Sequence, residues 1–119
     1  MRDFSRADRL SSQIARELSE ILLNNTSIPP DTIISITGVE LSRDLRYGKV
    51  YYSAYGDEHA SNRAESFFKK KQKQIRMELA GKIRVKFVPE LKFIFDISME
   101  RGQRISELLD RIRKNEQQD

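Results

Sequence analysis

Eight of the residues in the stretch Lys69 to Lys86, KKKQKQIRMELAGKIRVK, are lysine or arginine, and Glu78 is its one acid. Ammonium and guanidinium groups at this density bind oxyanions, phosphates above all. The stretch carries +7 while the whole chain carries +4, so everything outside it sums to −3. All of the positive excess is therefore in one segment. It can serve as a solvated face, a foot on anionic lipid, or a grip on a polyanion. Other chemistries have less to stand on. His59 is the only histidine and follows Asp57 and Glu58. Three adjacent side chains rarely converge on one metal ion, and acids at a helix start are explained by the positive end of its dipole. Glu17 and Glu20 share a helix face, but solvation beside Arg16 accounts for them. The chain has no cysteine, hence no thiolate nucleophile or zinc-thiolate site. It has no G-x-S-x-G, Walker A or dinucleotide-binding pattern. Catalysis and cofactor binding are not expected.

The grip is the favoured reading. On a helical wheel Lys69, Lys70, Lys73 and Arg76 point away from Phe68 and Ile75, so these cations form a surface that can change without harm to the fold. Lys82, Arg84 and Lys86 carry the charge into the next turn, and Arg43 and Arg46 in a loop extend it if the fold brings them near. Binding to phosphates should weaken steeply with salt. A membrane foot is disfavoured because the apolar face is needed by a small core and there is no tryptophan to anchor an interface. No signal-peptide pattern opens the chain and no apolar run is long enough to span a bilayer. Tyr51 and Tyr55 could stack bases, although cross-strand packing explains them as well.

The elements that must hold these residues follow from periodicity. With 119 residues, 38% hydrophobic and 34% charged, the chain makes one small domain with a thin core. Leu10, Ile14, Leu18, Ile21 and Leu22 predict a helix over 6–24, and Pro29-Pro30 forces the turn after it. Thr32 to Leu41 and Tyr47 to Tyr55 predict two strands in an antiparallel hairpin. Val50, Tyr52 and Ala54 should face the core, and Tyr51, Ser53 and Tyr55 the more exposed side. Ala60, Ala64, Phe67, Phe68, Ile75 and Leu79 predict a long helical segment. Lys71 falls on that stripe, so it either snorkels to water or marks a bend between two shorter helices, and a bend is expected. Gly81 suits the helix end. Val85 to Ile97 predicts a third extended segment that Pro89 confines to an edge or delays. Ser98 can cap a last helix through Ile105, Leu108, Leu109 and Ile112. The expectation is a domain over 1–114, a frayed tail over 115–119, and helices on one face of a three-stranded sheet.

The order α-β-β-α-α-β with a further C-terminal helix resembles the type II KH domain, an RNA-binding α+β fold. Its usual G-x-x-G loop is absent here. Three stretches, GVELSRDLRYGKVYY (Gly38 to Tyr52), VPELKFIFD (Val88 to Asp96) and SMERGQRISELL (Ser98 to Leu109), together with the first helix, resemble the ribosome-binding factor A family of bacterial small-subunit assembly factors. The resemblance implies a non-catalytic, cofactor-free, monomeric cytoplasmic protein. It would bind the 30S ribosomal subunit and 16S rRNA and assist late maturation, 5′-end processing and cold adaptation. Family members mark a helix kink with Ala-x-Gly, a position that falls on Lys71-Gln72-Lys73, where neither small residue is present. The alternatives are a KH-like binder of other single-stranded RNA and, from a different class, an RNA-cleaving enzyme using His59, Asp57 or Glu58.

Overall fold

A computed structural model describes residues 6–97. The elements are α1 (Arg6–Leu23), β1 (Ile33–Leu41), β2 (Tyr47–Tyr55), α2 (Ala60–Ala80) and β3 (Glu90–Phe95). The helix expected after Ser98 and the tail over 115–119 lie outside the described residues.

The five apolar residues that predicted α1 are the five it buries. Each such side chain stabilises the fold by roughly 1.5–3 kcal/mol relative to exposure. Helix α1 packs over β1, and α2 packs over β2 and β3, so both helices cover one face of the sheet. This is the α+β, KH-like architecture. The strand order is β1-β2-β3, with β2 central. β1 and β2 pair antiparallel from Ile33↔Tyr55 to Leu41↔Gly48, with a bulge at Thr37. β2 and β3 pair in parallel from Tyr47↔Glu90 to Tyr52↔Phe95. A parallel pair needs a crossover, and α2 with the loop 81–89 supplies it.

Phe68 is the hub of the core. Its ring stacks on Phe93 at 4.3 Å and meets Tyr52 at 4.5 Å and Phe67 at 5.4 Å, joining α2 to the two strands beneath it. At the other end of α2, Arg63 is a clasp. It donates from Nε to Thr32 Oγ1 at 2.9 Å and from Nη2 to the Asp31 carbonyl at 3.4 Å, and it pairs with Asp57 at 2.9 Å.

Two expectations need correction. The bend at Lys71 does not divide the helix, since α2 is one element from Ala60 to Ala80. Lys71 is half-buried beside Pro29 and Phe67. A half-buried lysine can lay its methylenes on apolar surface and keep its ammonium in water, which removes the need to break the helix. Ser53 is buried rather than exposed. It sits on the central strand opposite Ser35 of β1, and Thr37 Oγ1 of β1 donates to Oδ2 of Asp96, the residue after β3, at 2.7 Å. Pro89 delays the third strand as expected, and the segment from Val85 to Pro89 is loop. The β3 ladder opens after the proline, where the Glu90 N–H donates to the Arg46 carbonyl at 2.9 Å.

Candidate nucleic-acid interface

The basic residues divide between a helix surface and a groove. On α2, Lys69, Lys70 and Lys73 are exposed. Lys69 Nζ lies 3.3 Å from Glu65 Oε1, one turn earlier. Such an exposed pair is worth about 0.3–0.5 kcal/mol and leaves Lys69 free to exchange partners. Lys70 and Lys71 border a shallow depression near Pro29 and Phe67.

The loop 81–89 sorts its residues by polarity. Gly81 ends α2 in right-handed conformation and donates to the Glu78 carbonyl, so it caps as expected without using glycine's special freedom. Ile83 and Pro89 are buried, and Val85 and Val88 are partly so. Lys82, Arg84, Lys86 and Phe87 are exposed. Arg76, on the last turns of α2, reaches across to this loop. Its Nε donates to the Pro89 carbonyl at 3.2 Å and its Nη2 to the Val88 carbonyl at 2.7 Å. Arg76 therefore holds the loop in place, and the expectation that it is a dispensable surface cation is corrected. Nothing in a helical wheel shows a side chain bonded to backbone carbonyls from a distant loop.

The parallel pairing of Tyr47 with Glu90 brings the hairpin connection against that loop. Together they form a groove of about 660 Å³. Arg46 from the hairpin, Arg84 and Lys86 from the loop, Arg76 from α2 and Arg6 from the start of α1 all line it. Five cations there face two carboxylates, Asp44 and Glu90. Asp44 is already occupied: it accepts from the Ser42 hydroxyl at 2.6 Å and the Arg46 N–H at 3.2 Å. Those bonds, the Ser42 hydroxyl foremost, hold its carboxyl below the usual value. Arg46 thus lines the same groove as Arg84 and Lys86. Arg43 is exposed in the hairpin and does not line the groove. Lys69, Lys73 and Lys82 lie outside it as well. Arg6 and Phe87 were missed. Arg6 is far away in sequence, and Phe87 was passed over within the extended segment expected from Val85 to Ile97.

His59, Asp57 and Glu58 do not form a converging cluster. Asp57 accepts from the His59 N–H at 2.9 Å and pairs with Arg63, and both hold its carboxyl below the usual value. His59 Nε2 faces Glu58 at 3.3 Å on the open surface.

A family model described as ribosome-binding factor A matches residues 6–109. Ribosome-binding factor A of Nitrosomonas eutropha is 40% identical over 109 residues, covering 92% of this chain and 93% of that protein. The chain belongs to the ribosome-binding factor A family. Ribosome-binding factor A proteins are non-catalytic ribosome assembly factors. A Thermotoga maritima protein solved by NMR is 28% identical, with a TM-score of 0.65 over 79% of this chain and 90% of its own. Ribosome-binding factor A of Thermus thermophilus, fitted into a cryo-EM map of its complex with 30S, shares the fold: TM-score 0.61 and 24% identity over 75% of this chain and 93% of that one. Among the described residues, no helix is long and apolar enough to cross a membrane.

Proposed function

We propose that this protein binds the 30S ribosomal subunit through 16S rRNA and assists its late maturation, including processing at the 5′ end. The observation that carries the reading is the groove in which Arg6, Arg46, Arg84 and Lys86 gather, on a chain of this family. The relative from Thermus thermophilus, which shares the fold, has been placed in a complex with 30S. The reading includes action as a cytoplasmic monomer and a role in cold adaptation. Lys69, Lys70, Lys73 and Lys82 form a second, flatter set of phosphate contacts, with Arg43 at its margin. Phosphate contacts set affinity, and the shape of the RNA sets the site.

Sedimentation with purified 30S subunits between about 50 and 200 mM salt tests this. If the four groove cations each neutralise a phosphate, changing Arg6, Arg46, Arg84 and Lys86 to Gln should reduce the salt slope by about 3. Binding that ignores salt and survives these substitutions would refute the reading. Binding to unrelated single strands as tight as binding to 30S would favour the KH-like binder of other single-stranded RNA.

A further inference from the structure

One side chain in the groove has no part in phosphate binding. Phe87 is 77% exposed, although its loop neighbours Ile83, Val85 and Val88 pack onto the core. A ring so exposed has an open face. Lys86 Nζ lies 5.7 Å from its centroid, and Arg46 and Arg84 line the same groove. An isolated surface phenylalanine needs no explanation, but an aromatic ring set among cations pairs a π surface with anion sites. The volume, about 660 Å³, is within the roughly 300–1,000 Å³ of small-ligand sites. The loop is also held before any ligand arrives, by the bonds from Arg76 to Val88 and Pro89 and by the buried Pro89. Little ordering remains to be done on binding.

We propose that Phe87 is a stacking platform for an unpaired base of single-stranded RNA, whose flanking phosphates are held by Arg46, Arg84 and Lys86. The inference rests on the rRNA-binding reading and deepens it, because it names the form of RNA the groove accepts. A base inside an A-form duplex is already stacked and has no free face, so the groove selects unpaired nucleotides. An acidic peptide matches the charge but offers no planar face to the ring. The platform sits on the loop that follows α2, so recognition of the base is separated from the position where KH domains carry G-x-x-G.

The chain has no tryptophan, so Phe87→Trp installs a single reporter at the platform. Titrations with a short unpaired oligonucleotide, a blunt-ended RNA duplex of two strands and polyglutamate are the probes. Quenching is expected with the single strand and not with the other two. Phe87→Leu, which keeps apolar bulk on an exposed position, should preserve the melting temperature and lose about tenfold in single-strand affinity, with the salt slope unchanged. Equal quenching by duplex or polyglutamate would overturn the proposal, as would wild-type affinity of Phe87→Leu for single strands. In either case, salt-dependent 30S binding lost on changing Arg46, Arg84 and Lys86 to Gln would show that the rRNA reading stands without the stacking. Absence of any RNA or 30S binding by the wild-type protein would overturn both.

Discussion

Arg76 separates two roles that charge alone would merge. If it is a loop clasp, Arg76→Gln removes a hydrogen bond from a charged donor to the part-buried Pro89 carbonyl and another to the exposed Val88 carbonyl. Charged donors contribute about 1.5–3 kcal/mol at buried acceptors and less at wet ones, so a combined loss of about 2 kcal/mol is expected. For a domain of this size that lowers the melting temperature by about 8 °C or more. Arg76→Lys keeps the charge, but one ammonium cannot reproduce the two-pronged fork. It should lose about half as much stability, and RNA affinity measured well below the transition should be largely retained. Lys69, Lys70 and Lys73 changed together to Gln should weaken RNA binding and leave the melting temperature within ~1 °C, as expected of surface residues. Circular dichroism melts with parallel 30S sedimentation make the comparison. If Arg76→Gln melts with the wild type and merely binds RNA as poorly as the lysine variants, Arg76 is a phosphate ligand and the clasp is refuted.

Two further outcomes test the frame that holds the site. Phe68→Ala removes the ring that joins Tyr52, Phe67 and Phe93 and should cost about 3–5 kcal/mol in chemical denaturation; a loss below about 1 kcal/mol would mean the cluster is loosely packed. Asp57 has its carboxyl held below the ordinary 3.8, first by the His59 N–H and then by Arg63. A depressed carboxyl adds stability above its unfolded value that is lost as pH falls through the folded one, so wild type should exceed Asp57→Asn at pH 6 and converge with it well below pH 3.8. Parallel curves across that range would disprove the coupling.

Much of the frame is legible in residue spacing. The stripe of α1 names its buried residues without error, because a helix that packs on one face encodes that face every three to four residues. The hairpin is legible because both strands are β-rich and the connection is short. Lys71 misleads because a wheel treats a lysine as a point charge, whereas four methylenes let it line an apolar wall. The groove's cations are mostly legible, but their meeting is not. Arg6, Arg46, Arg76 and Arg84 come from four separate elements, and the parallel register that sets Tyr47 beside Glu90 has no local signature. The cations can be counted in the sequence, but which of them meet is decided by strand pairing.

That pairing also has a consequence in time. The β1–β2 hairpin closes across residues 42–46, a local event on the microsecond scale. β3 can join only after residues 56–89 have been laid across the sheet, and closing so long a connection before its contacts form is slow. Arg46 and Arg84 face the same groove only once Glu90 has bonded to Arg46. Of the described elements, the groove is therefore the last to assemble. A half-folded chain that has its hairpin and its first helix still has no groove.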